Sequence, residues 1–135
     1  MKAVKHVLVV DDERYFRQLA KRTLEESPGG YQVREASDGR EAVALARLWH
    51  PDLVIMDLAM PGYSGLEAIR GIHAEWPGCK ILVCSAHSEP HYQAAALECG
   101  AEAFLSKKLI ASQLLTAVEA MLASEPHSPP FESTS

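Results

Sequence analysis

Short apolar runs alternate with longer amphipathic stretches along this chain, and the alternation predicts its architecture. His6 to Val10 reads as a buried strand. The next stretch carries Phe16, Leu19, Ala20 and Leu24 at helical spacing, and Ser27-Pro28-Gly29-Gly30 breaks it. Tyr31 to Ala36 is a second strand with some alternation. Asp38 is placed to cap a helix with Ala42, Val43 and Ala46 on one face, and Pro51 stops it. Leu53 to Asp57 is the third strand. Ser64 caps a helix bearing Leu66, Ile69 and Ile72, which Pro77-Gly78 ends. Lys80 to Cys84 is the fourth strand. Glu89 to Glu98 is a helix, and Gly100 suits its C-terminal turn. Ala103 to Ser106 is a short fifth strand, and Ser112 to Ala123 a last helix with Leu115, Val118 and Leu122 facing inward.

Five βα units result. Short apolar strands without strict alternation imply a parallel sheet covered on both faces, hence a three-layer α/β fold. With 135 residues and 47% hydrophobic content, one domain with a real core is expected. We place that domain at residues 1–123. From Ser124 the composition shifts to Ser, Pro and Glu, and 124–135 reads as a disordered tail.

A formal charge of −5 argues against a nucleic-acid surface and against anionic membranes. No apolar run reaches transmembrane length. The basic start, Met1 to His6, leads only into a strand-length run, which is no signal peptide. Cys79, Cys84 and Cys99 are odd in number and lack CxxC spacing, which suits free thiols in the cytoplasm.

The chemistry sits where the strands end. The first strand runs into Asp11 and Asp12, the third into Asp57, the fourth into Ser85 and the fifth into Lys107. In a parallel sheet these ends share one edge, the edge where open α/β sheets bind ligands. Polar residues follow strands in any fold, which explains each one alone but not acids, a hydroxyl and a lysine together. Gathered carboxylates repel one another, and a hard cation with oxygen ligands relieves the repulsion. Mg²⁺ suits this role: Asp12 and Asp57 supply direct oxygens, Asp11 acts through water, and the carbonyl of Ala59 adds another ligand. Asp57 is then a nucleophile toward phosphorus, Lys107 a point charge for a phosphoryl oxygen and Ser85 a donor to another.

Other chemistries fit less well. Cys84, His87 and His91 suggest zinc only weakly, because Pro90 interrupts the spacing. A phosphatase or dehalogenase with an aspartate nucleophile wants a second Asp where Ala59 stands. A flavin carrier of this topology would find its phosphate repelled by Asp11, Asp12 and Glu13. Trp49 and Trp76 read as packing under loops.

Val9-Val10-Asp11-Asp12-Glu13, Asp57-Leu58-Ala59-Met60-Pro61-Gly62 with Gly65, Ser85-Ala86, and Phe104-Leu105-Ser106-Lys107 together resemble the receiver domain of two-component response regulators. The resemblance covers about residues 5 to 123, and its ordered set of motifs is specific. It implies a flavodoxin-like fold with strand order 2-1-3-4-5. It implies that Asp57 takes a phosphoryl group from a sensor histidine kinase, a phosphotransfer protein or a small donor. Asp11, Asp12 and Asp57 would hold Mg²⁺, Lys107 would bridge to the phosphoryl group, and Ser85 and Phe104 would be the switch pair. It implies a signalling module rather than an enzyme, beyond its own phosphorylation and dephosphorylation. A downstream effector protein would meet Tyr92 and the last two helices, and the analogy alone allows a homodimer through the last strand and its flanking helices. Two alternatives stay open: a receiver-shaped interaction module that is not phosphorylated, and the receiver part of a longer DNA-binding regulator.

The chain departs from the family pattern at three places. Lys108 stands where a cis-linked Pro is usual, which predicts either a trans bond with a shifted loop or a strained cis bond costing about 2.5–4 kcal/mol. Phe104 lacks the hydroxyl of the more frequent Tyr, so its switch rests on packing. Ala59 and His87 flank the expected phosphoryl position, and of the two only His87 offers a polar group.

Overall fold

In the computed structural model, which describes residues 4–60, 64–86 and 89–123, five parallel strands form one sheet in the order β2-β1-β3-β4-β5. The strands are β1 (Lys5–Val10), β2 (Tyr31–Ala36), β3 (Leu53–Met56), β4 (Lys80–Ser85) and β5 (Ala103–Ser106). Between and after them run α1 (Arg14–Glu25), α2 (Gly39–Trp49), α3 (Gly65–Glu75), α4 (Pro90–Cys99) and α5 (Ile110–Ala123). The tail expected from Ser124 onward lies outside the described residues.

The sheet is buried on both faces because its strands carry apolar side chains on both. Leu8, Val10, Val54, Met56, Ile81 and Val83 pack with α2, α3 and α4. Val7, Val9, Leu53, Ile55, Leu82 and Cys84 pack with α1 and α5. A fully buried aliphatic side chain contributes about 1.5–3 kcal/mol, so these two layers dominate stability.

Local signals set the helix starts. Asp38 accepts from the Glu41 amide at 2.9 Å. Ser64 and Glu67 form a reciprocal capping box, each accepting from the other's backbone N–H. The last helix begins two residues earlier than its periodicity suggests. A 3-10 turn, Lys107–Leu109, runs straight into Ile110, and the Ser106 hydroxyl caps that turn by accepting from the Lys108 amide at 3.2 Å. The inner stripe is therefore Ile110, Leu114 and Val118, spaced by four, while Leu115 and Leu122 flank it half-buried.

Several contacts join elements in ways the apolar periodicity does not give. Lys80, at the start of β4, is buried and donates through Nζ to the Met121 carbonyl at 2.6 Å, tying the last turn of α5 to the sheet. Gly30 O and Ala36 O accept from β1, so the even positions of β2 face β1 and the odd positions face the open edge. At that edge the Val33 N–H donates to the Glu25 carboxylate at 3.1 Å. Finally, Trp49 stacks on His6 and Trp76 on His50, and Trp76 donates to the Pro51 carbonyl at 3.2 Å. Trp76 thus packs beside Pro51, while Trp49 packs against His6 of β1 and Arg34 of β2.

Candidate functional site

The strand ends meet as the sequence predicts. β1 carries Asp11, fully buried, and Asp12, exposed, just past Val10. β3 stops at Met56, one residue before Asp57, which is 4% exposed. Register explains the meeting. Val10 pairs with Met56, and the Asp57 N–H donates to the Val10 carbonyl at 3.0 Å, so the two acidic loops leave adjacent strands side by side. Carboxylate oxygens of Asp11, Asp12 and Asp57 lie within 4.8 Å of one another.

Lys107 completes the group. Its Nζ is 2.7 Å from Asp11 Oδ2, 3.4 Å from Glu13 Oε1 and 3.7 Å from Asp57 Oδ2. The Lys107–Lys108 bond is trans, and the lysine still reaches both buried aspartates. Of the two alternatives for that bond the trans geometry is the one present, and Lys107 stays in the site.

Backbone amides orient the acids. Asp11 Oδ1 accepts from the Glu13 N–H at 2.8 Å, and Asp57 Oδ1 accepts from the Ala59 N–H at 3.3 Å. Arg17, which the helical pattern did not single out, donates to the Asp11 carbonyl at 2.8 Å and pairs with Glu35 at 2.9 Å. It holds the turn after β1 against β2.

The charges do not balance. Burial raises the pKa of Asp57 to about 6; the Asp11 charge adds to the rise, and Lys107 opposes it. Burial also raises Asp11, against the pull of Lys107 and the Glu13 amide. Burial alone would lower Lys107, but Asp11, Asp57 and Glu13 outweigh it and raise it. One ammonium is thus shared among several carboxylates. The Asp11–Lys107 contact is a close ion pair, and the lysine is the partner that buried Asp11 Oδ2 has among the described residues. An oxygen-only donor set with surplus negative charge, sharing a single ammonium, fits a hard divalent cation.

The remaining candidates line the neighbouring strands. Ser85 is fully buried at the end of β4, beside Ser106 in register. Phe104 pairs with Val83 in register and packs half-buried on the α2–α3–α4 side. Alternation along β4 puts Ser85 on that same side. Ala59 is exposed next to Asp57. His87 and the Pro61-Gly62 turn lie outside the described residues. Cys84 faces the apolar layer under α1 and α5, and burial pushes its thiol up to about 12, while His91 is exposed against Tyr92. Among the described residues the ligating cluster is the three aspartates. No described helix is long and apolar enough to cross a membrane.

A doubly wound parallel α/β domain with three carboxylates and a lysine at one sheet edge is the architecture of phospho-signalling receivers. The chain belongs to the response regulator receiver domain family, whose model matches residues 7–119. It is 35% identical over 113 residues to the transcriptional regulatory protein DegU of Brevibacillus brevis, covering 84% of this chain and 48% of DegU. It is 37% identical over 115 residues to the chemotaxis protein CheY of Thermotoga maritima, covering 84% of this chain and 94% of CheY. The chain thus spans about half the length of relatives such as DegU. A two-component response regulator of the LuxR family from Aurantimonas sp. superposes with a TM-score of 0.84 at 35% identity, over 91% of this chain and 88% of that one.

Proposed function

We propose that residues 1–123 form a cytoplasmic phospho-acceptor of a two-component relay, with Asp57 as the acceptor. The observation that carries this reading is the approach of Lys107 to both Asp11 and Asp57 within a cluster of three aspartates. An ionised Asp57 oxygen forms the new bond to phosphorus. The bond from phosphorus to the donor nitrogen of a phosphohistidine breaks, and the leaving imidazole keeps the electron pair. Asp12 and Asp57, the Ala59 carbonyl and, through water, Asp11 would hold Mg²⁺. When bound, the ion neutralises charge on the phosphoryl oxygens.

Lys107 holds one phosphoryl oxygen, which requires its ammonium to shift from Asp11 toward Asp57. The Ser85 hydroxyl donates to another. That contact exists only in the phosphorylated state and so favours the arrangement in which Phe104 repacks beside it. The surface around α4, β5 and α5 then changes for an effector protein. The chain's own chemistry is limited to gaining and losing this phosphoryl group.

The test is intact mass after incubation with Mg²⁺ and acetyl phosphate, with Asp57→Asn alongside. An adduct that needs Mg²⁺ and is absent from the variant supports the reading. A protein that binds Mg²⁺ but gains no adduct is an interaction module of receiver shape.

A further inference from the structure

Beyond its carboxylate partners, the Lys107 ammonium has an uncharged one. Nζ lies 4.6 Å from the centroid of the Phe16 ring, within the range of a cation–π contact. Phe16 is 6% exposed and packs in the layer with Val9, Ala20 and Leu105. Its ring is therefore fixed by the core, whereas Glu13, the other contact outside the buried aspartate pair, is exposed.

We propose that Phe16 is a positioning residue for Lys107, its ring holding the ammonium at the sheet edge while leaving its charge available to a phosphoryl oxygen. This rests on the phospho-acceptor reading for its functional consequence. A carboxylate in the place of Phe16 would hold the lysine too, but would neutralise it and compete with the phosphoryl group. A ring attracts the cation through its quadrupole and carries no net charge. The ammonium can exchange Asp11 for a phosphoryl oxygen without losing this support. The helical spacing of Phe16, Ala20 and Leu24 marks the residue as core, and the ring serves both the core and the lysine.

The test compares the full chain with Phe16→Leu, which fills much of the same space without a ring, and Phe16→Tyr, which keeps the ring. Two readouts are taken: the rate of Mg²⁺-dependent phosphoryl uptake from acetyl phosphate, and the proton shifts of the Lys107 Cε methylene. The methylene is assigned by its loss in Lys107→Arg. In the parent chain the ring current moves these protons upfield. Phe16→Leu should abolish that shift and slow uptake by about tenfold, the scale of one cation–π contact, while Phe16→Tyr keeps both near the parent values. Methylene protons at ordinary lysine positions in the parent chain would overturn the proposal, whether or not a variant folds. So would parent-like uptake in Phe16→Leu. If the parent chain takes up no phosphoryl group, the phospho-acceptor reading fails. The ring-current shift and its loss in Phe16→Leu then still decide whether Phe16 holds Lys107.

Discussion

Lys107 Nζ is a full ångström closer to Asp11 Oδ2 than to Asp57 Oδ2, at 2.7 against 3.7 Å. The cation in this state leans toward the carboxylate that is not the proposed acceptor. Both acids nevertheless depend on it, since it is the charge that lowers each of them against burial.

Replacing Lys107 with Met should therefore destabilise the metal-free protein at neutral pH. Removing one partner of a buried pair costs about 3–5 kcal/mol, and with the lysine side chain 17% exposed the lower end applies. The cost should shrink at pH 5, where the orphaned acids take up protons. Urea unfolding at pH 7.5 and 5 checks this, and equal losses at both would contradict it.

Asp57→Asn should have the opposite sign. Burial pushes the Asp57 carboxyl from the ordinary 3.8 up to about 6, so the folded state binds its proton more tightly. The stability this contributes is full below about 4 and is lost as pH rises through 6. Without metal, the variant should exceed the parent by about 2–3 kcal/mol at pH 7.5, and the gap should close toward pH 4. Adding Mg²⁺ at pH 7.5 should raise the melting temperature of the parent more than that of the variant. Melting curves with EDTA and with Mg²⁺ measure both effects.

Gly65→Ala should loosen the acceptor loop. A Cβ at Gly65 would collide with the Asp57 carbonyl oxygen and lie 2.7 Å from Leu58 Cα, and backbone cannot rotate away as a side chain does. Relief requires α3 to withdraw from the Asp57 turn, at roughly 1–3 kcal/mol of overpacking. Thermal unfolding reads the stability loss, and amide shifts at Asp57 and Leu58 should move with it. A variant as stable as the parent with unmoved shifts would sink this.

Glu25→Ala should uncover the edge of β2. The Val33 N–H points away from β1 and is satisfied by the Glu25 carboxylate. Its loss should cost about 1 kcal/mol and leave a free edge donor of the kind that pairs with another strand. Sedimentation at rising concentration should show self-association in the variant beyond that of the parent.

Four apolar runs and one partly alternating segment were enough to locate β1 to β5, and a parallel sheet then forces Asp11, Asp12, Asp57, Ser85 and Lys107 to one edge. That inference needs only strand direction, which is why it survives the unusual Lys108. What periodicity could not supply were contacts made across elements. Arg17 reads as a solvated helical residue, Glu25 as a surface acid and Lys80 as a strand-edge lysine. Each is set by a partner 18, 8 or 41 positions away. The start of α5 was misplaced for a related reason. The cap that fixes it, Ser106 on Lys108, belongs to a 3-10 turn with no apolar stripe of its own. Phe16 was legible as core, but its approach to Lys107 is a contact between α1 and the turn after β5 that periodicity does not give.

The 3-10 turn that opens with Lys107 passes without a break into Ile110, the buried first residue of α5. Lys107 is thus both the charge at the sheet edge and the first link of a rigid connection. The fourteen residues of α5 follow directly from that turn, and the far end of the helix is moored to β4 through Lys80. The helix is thus anchored at both ends, at its start by buried Ile110 next to the turn that carries Lys107 and near its end by the Met121 carbonyl on Lys80.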